Sequence, residues 1–167
     1  MSNAQTTFDS RAFRQAVGQF VTGVTVIAIE LDGEIRAMTA NSFTSLSLDP
    51  PLVLFCLGKQ TKAARLIHTA AAFSVNILTE EQLPLSTYFA GAWKDKAAPA
   101  FSFTAWHPGA PRLDGSAVAL SCLTQAVHEG GDHWIVVGEV TAIHRADAHR
   151  VPLVFYGGRY VSLKEII

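Results

Sequence analysis

The alternation of apolar and polar positions divides the chain into short β segments punctuated by glycine and proline, with few stretches of helical period. Near the start, Phe8, Phe13, Val17 and Phe20 fall near one face of a helix that Asp9 or Ser10 can cap and Gly18 slightly weakens. Thr22 to Ile29 is mostly β-branched. Asp32-Gly33 then supplies the positive φ angles of a tight turn before Ile35 to Ala40 returns, which predicts a β-hairpin. Pro50-Pro51 introduces Leu52 to Leu57, whose continuous apolar run predicts a central strand covered on both faces. Thr61 to Thr69 reads as a short helix and Phe73 to Leu78 as a strand. Thr79 opens a second helix, with Gln82 at capping-box spacing and Pro84 tolerated in the first turn.

Lys94 to Pro111, a polar stretch with three prolines, reads as a long excursion on the surface or over a site. Two long strands follow, Ala117 to His128 and His133 to His144, joined by the Gly130-Gly131-Asp132 turn. Pro152 to Tyr156 and Tyr160 to Leu163 form a closing hairpin across Gly157-Gly158. Six or seven strands, mostly antiparallel, with two or three helices predict a mainly β fold, a barrel with peripheral α-helices. No repeat or linker is evident, so residues 1–167 read as one domain.

Composition adds a partner and removes several. With 49% hydrophobic and only 16% charged residues, the chain has little polar surface for a lone small sphere, and a homodimer is expected. The net charge is −1 and the 13 Lys and Arg are scattered, which argues against nucleic acid. No apolar stretch reaches the roughly 20 residues of a membrane span, and Met1 to Asp9 has neither the basic region nor the apolar core of a leader. A cytoplasmic protein with no membrane partner is expected. Cys56 and Cys122 lie in apolar runs and read as buried free thiols. The six histidines form no zinc pattern, so no metal is expected.

The usual nucleotide motifs are missing. No Gly-x-Gly-x-x-Gly opens a helix, Gly58-Lys59-Gln60-Thr61 has the wrong order for a P-loop, and no Gly-x-Ser-x-Gly elbow occurs. The most informative stretch runs from Met38 to Pro51, with five hydroxyl side chains and Asn41 between two predicted strands. Small polar residues let a backbone approach a flat heterocycle and offer N–H donors to its edge, although a plain Ser/Thr-rich loop has the same composition.

The order of residues adds to this. Met38-Thr39-Ala40-Asn41-Ser42-Phe43-Thr44-Ser45-Leu46-Ser47-Leu48-Asp49-Pro50-Pro51 resembles the signature of the short-chain flavin reductase family. The resemblance extends to Phe13 through Gly18, Thr22 through Val26, Phe73 through Leu78, Gly131-Asp132-His133 and Val137 through Val140. It implies a split β-barrel of FMN-binding, Greek-key type and a homodimer with flavin near the subunit interface. It also implies reduction of FMN or FAD by NADH or NADPH, with reduced flavin passing to a partner monooxygenase. By motif position, Thr39, Ala40, Asn41, Ser42, Ser45, Leu46 and Ser47 would line the flavin ring and ribityl chain, largely through backbone groups. Cys56, Leu57, Lys59, Thr61 and Lys62 match the region that holds the phosphate. Here Thr61 at a helix N-terminus and two lysines make physical sense, as would two solvated lysines and a cap. Asp132 and His133 would lie beside the nicotinamide, with His133 the catalytic candidate; a hairpin-end pair bonded to each other is the plainer reading. Phe155 and Tyr160 match an aromatic terminal hairpin that covers the flavin or nicotinamide, or simply packs the barrel. Two departures stand out: Ala37 replaces a common Gly, and Lys59-Gln60-Thr61-Lys62 is poorer in Ser and Arg than usual. An FMN-binding electron-transfer or carrier protein without NAD(P)H turnover is the alternative.

Overall fold

The computed structural model describes residues 8–95 and 97–163. The leader expectation rests largely on residues 1–7, outside that part. Helix α1 spans Ser10–Val17, capped by Asp9, whose carboxylate accepts from the Arg11 amide at 2.9 Å. Its apolar stripe finds no core: none of its residues is buried, and Phe8 and Phe20 beside it are each 78% exposed.

The predicted first strand is broken at Val24 into β1 (Thr22–Gly23) and β2 (Thr25–Leu31), and β3 (Glu34–Ala40) returns across Asp32 and Gly33 at φ 53° and 77°. Positive φ at both turn positions matches the twist of a two-residue hairpin. Strands β4 (Phe43–Leu48) and β5 (Pro51–Gly58) form the next antiparallel pair. The expectation of a doubly covered central β5 is corrected. Val53, Phe55 and Leu57 are buried, but Leu52, Leu54 and Cys56 on the other face are half-buried, and β5 lies one strand from the end of its sheet. The doubly covered strand is β2, which sends Ile27 and Ile29 into one apolar cluster and Val26 into another. A run of apolar residues carries no mark of what covers its second face. Cys56 is accordingly half-buried rather than buried, whereas burial pushes the Cys122 thiol up to about 12.

The predicted helix from Thr61 to Thr69 is instead a single 3-10 turn, Ala63–Arg65, followed by further turns. Ala64, Ile67 and Ala70 are buried at intervals of three, the period of the tighter helix, and so short a segment gains little as an isolated α-helix. After β6 (Ala72–Ile77), a 3-10 turn over Glu80–Gln82 leads into α2 (Leu83–Phe89), and the Thr79 amide donates to Gln82 Oε1 at 3.2 Å. Part of the predicted Lys94 to Pro111 excursion is a hairpin, β7 (Phe103–His107) and β8 (Ala110–Leu113), which turns at Gly109 with φ 76°. Alternating Phe101, Ser102, Phe103, Thr104 ahead of Pro108-Gly109 was the signal for it.

Strands β9 (Val118–Gly130) and β10 (His133–Arg145) pair along nearly their full length, and β11 (Val154–Tyr156) and β12 (Arg159–Val161) close the chain as predicted. The described residues thus hold twelve strands where six or seven were expected, because short strands and the β7–β8 hairpin escape the pattern. The main sheet has the order β3-β2-β6-β9-β10-β5-β4, and it curls until β3 touches β5. The mainly β barrel with peripheral helices stands.

Candidate functional site

Two motifs that are far apart in sequence meet at the turn end of the β9–β10 hairpin. The register sets His133 opposite Gly58 of β5, and the Lys59 amide donates to the Asp132 carbonyl at 3.0 Å. Gly131, at φ 67°, makes the turn that brings them there. His133 Nδ1 lies 2.7 Å from Asp132 Oδ1. The hydrogen bond from His133, then its charge, and in smaller measure the charge of Arg14 hold the Asp132 carboxyl below the usual range.

The expected phosphate group divides. Lys59 Nζ lies 2.9 Å from Glu129 Oε1 and 4.4 Å from the Trp134 ring centroid, so it is tied to the hairpin. Thr61 Oγ1 donates to the Gly58 carbonyl at 2.9 Å and accepts from the Ala64 amide at 3.2 Å, which fastens the turn. With only one 3-10 turn after it, the helix dipole expected at Thr61 is not present. Lys62 has no ion pair among the described residues. Leu57 is fully buried in the core, so only its backbone can face a ligand.

In the segment expected to line the ring largely through its backbone, most side chains hold that backbone in place. Thr39 Oγ1 donates to the Ser86 carbonyl at 2.6 Å, and Ser86 Oγ lies 2.8 Å from Tyr160 Oη. The buried Ala40 accepts from Thr25 Oγ1 at 2.7 Å, and Asn41 Nδ2 reaches Thr22 Oγ1 at 3.3 Å. Ser42 Oγ donates to the Cys56 carbonyl at 3.0 Å and accepts from its amide at 3.1 Å. What this network offers a ligand is therefore a braced main chain. Ser45, Leu46 and Ser47 lie on the edge strand β4, where the register slips between Ser45 and Ser47. Phe155 and Tyr160 pack edge to face with centroids 5.4 Å apart.

Two grooves adjoin these residues. One, of about 730 Å³, runs between β3, the turn at Thr61, Lys62 and Ala63, and the segment carrying Tyr88, Phe89 and Trp93. Because β3 ends the strand order, one edge of its main chain has no strand partner in the sheet and can present N–H and C=O groups to a polar ring edge. The other groove, of about 530 Å³, joins Arg14 and Phe20 to Asn41, Ser42, Phe43 and Phe155. Both volumes suit a small organic ligand. Arg14, Phe20, Tyr88 and Trp93 were missed by the sequence reading. For α1 the available signal was an amphipathic helix; for Trp93 it was an aromatic residue at the edge of a proline-rich loop. Braced backbone, an open strand edge, aromatic walls and the unpaired Lys62 fit a flavin. Among the described residues, no group of three or more His, Cys, Asp and Glu could hold a metal ion, and no helix is long and apolar enough to cross a membrane.

Known proteins resemble this chain over most of its length. The chain is 40% identical over 156 residues to the reductase subunit of a flavin-dependent monooxygenase from Rhodococcus jostii, covering 93% of this chain and 79% of that protein. It is 40% identical over 154 residues to an NADH-dependent flavin reductase from a Rhodococcus species, covering 90% and 85%. A solved flavin reductase in its native state superposes with a TM-score of 0.88 at 38% identity, over 95% of this chain and all of that one. Residues 17–164 match the flavin reductase like domain, and the chain belongs to the flavin reductase family.

Proposed function

We propose that this chain is an NAD(P)H-dependent flavin reductase that acts as one flavin-binding domain and passes reduced flavin to a partner monooxygenase. The observation that carries the reading is the junction of Gly58 and Lys59 with Asp132 and His133, which Thr61, bonded to the Gly58 carbonyl, links to a groove walled by aromatic rings. The redox chemistry is the flavin's own, which when bound accepts a hydride from the nicotinamide donor.

The chain's residues bind, orient and shield. The open edge of β3 and the braced backbone from Thr39 to Ser42 present main-chain groups to the flavin ring, and Lys62 supplies positive charge for its phosphate. Thr61 acts by fixing the turn that carries Lys62. His133, oriented by Asp132, presents its other ring nitrogen toward the Gly58 end of β5, where it would steer the nicotinamide. In the second groove, Arg14 offers a cation to the phosphates of that donor. Its relatives' names include NADH-dependent reductases and monooxygenase reductase subunits, which supports both the donor and the partner.

A homodimer and a cytoplasmic setting complete the reading. The exposed stripe of α1 and the outward Leu48 of edge strand β4, 93% exposed, are apolar surfaces that a second copy would cover. Anaerobic mixing of the flavin-loaded protein with NADH or NADPH tests the central claim. Bleaching of the flavin absorbance band is expected with at least one donor. No bleaching with either would leave a flavin carrier or electron-transfer protein in its place.

A further inference from the structure

Resting on that reading, we propose that the groove selects FAD over FMN, with Trp93 and Tyr88 forming the platform for the adenine. The phosphate end of the groove is weakly built. Of the three side chains expected there, Lys59 is held by Glu129 and Trp134, the Thr61 hydroxyl donates to Gly58, and Lys62 alone has no ion pair among the described residues. Arg36, the other cation on the groove, is paired with Glu34. A terminal phosphate carries close to two charges and needs several donors, so one lysine is a poor clamp for FMN.

The opposite wall is aromatic. Tyr88 and Trp93 both line the groove and both are half-buried, so each has ring surface in the groove and ring surface against the protein. Their positions are fixed from behind: Tyr88 packs on Phe89 and Phe101 with centroids 5.2 and 5.6 Å away, and Trp93 Nε1 donates to the Ala97 carbonyl at 2.9 Å. Rigid aromatic faces beside a single cation suit a ligand that extends past its phosphates to a flat base. FMN has no group to cover them; FAD has its adenine. The nicotinamide donor also carries an adenine, so the test must separate the two.

Calorimetric titration of the flavin-free protein with FMN and with FAD, no nicotinamide present, provides that separation. FAD is expected to bind about tenfold more tightly than FMN. Trp93→Ala is expected to weaken FAD binding more than FMN binding and so to erase most of that margin, with circular dichroism reporting that the variant is folded; Trp93→Phe should keep the preference. Equal or tighter binding of FMN by the wild-type protein overturns the proposal without any variant. So does a Trp93→Ala protein that keeps the full FAD margin and instead loses affinity for NADH. Failure to bind either flavin would overturn the flavin reading itself.

Discussion

His133 and Asp132 are adjacent in sequence, yet their side chains fold back on each other, with Nδ1 and Oδ1 2.7 Å apart, across the strand from Gly58. The carboxylate fixes which ring nitrogen is occupied and leaves Nε2 directed toward the β5 end, where a Cβ on Gly58 would lie 3.7 Å from it. His133→Ala should therefore slow hydride transfer about tenfold, roughly 1.4 kcal/mol, while flavin affinity changes little. Stopped-flow reduction of flavin-loaded protein separates these effects; unchanged reduction kinetics would remove His133 from the site.

The two lysines that look equivalent in sequence should behave differently. Lys62→Ala removes the unpaired cation of the groove and should weaken flavin binding by about 1.5 kcal/mol, near tenfold, the scale of a hydrogen bond to a charged group. Lys59→Ala removes an exposed pair with Glu129 and a contact with Trp134, and should cost less than about threefold. Equilibrium titration of both variants reads the contrast, and equal losses would restore Lys59 to the phosphate site.

What the sequence disclosed and what it hid follow from the range of the forces involved. Turns set by local φ preferences were legible: Asp32-Gly33, Gly131-Asp132 and Gly157-Gly158 all close hairpins where predicted. Strand coverage was not, because the second face of β5 depends on what packs there and the run from Leu52 to Leu57 is equally apolar either way. The site shows the same division. The motifs at Thr39 to Ser42 and Asp132-His133 were found, but the side-chain bonds that brace the first of them could not be read locally, and Lys59 is captured by Glu129, seventy residues away. Arg14 and Trp93 join the grooves only through tertiary placement, which no local pattern encodes.

Gly138 lies against the ring of Phe73 so closely that a Cβ there would be 2.4 Å from Cζ and 3.1 Å from the Cys122 Cβ. Gly138→Ala should destabilise the barrel by about 1–3 kcal/mol through overpacking, seen as a lower urea midpoint with an unchanged slope. Phe73→Leu in the same chain should recover part of that loss, since it removes the ring edge that clashes. A double-mutant cycle with no coupling between the two positions would contradict the packing account.

Asp114 makes stability depend on pH in a definite direction. Partial burial raises its pKa, but hydrogen bonds from Ser102 and Thr104, each 2.7 Å, with the charges of Arg112 and His144, outweigh that and hold it below the ordinary carboxylate value. A carboxyl with a depressed folded-state pKa contributes stability that is present above its unfolded value and is lost as pH falls through the folded one. Because the side chain is about 38% exposed, solvent screening limits the effect, and Asp114→Asn should cost only about 1 kcal/mol at neutral pH. The gap between wild type and variant should begin to shrink as pH falls below the ordinary aspartate value of about 3.9, where the unfolded chain takes up a proton, and be lost once the folded carboxyl is protonated at lower pH. Urea unfolding at pH 7, 5 and 3 follows it, and a gap that widens toward acid would reverse the assigned sign.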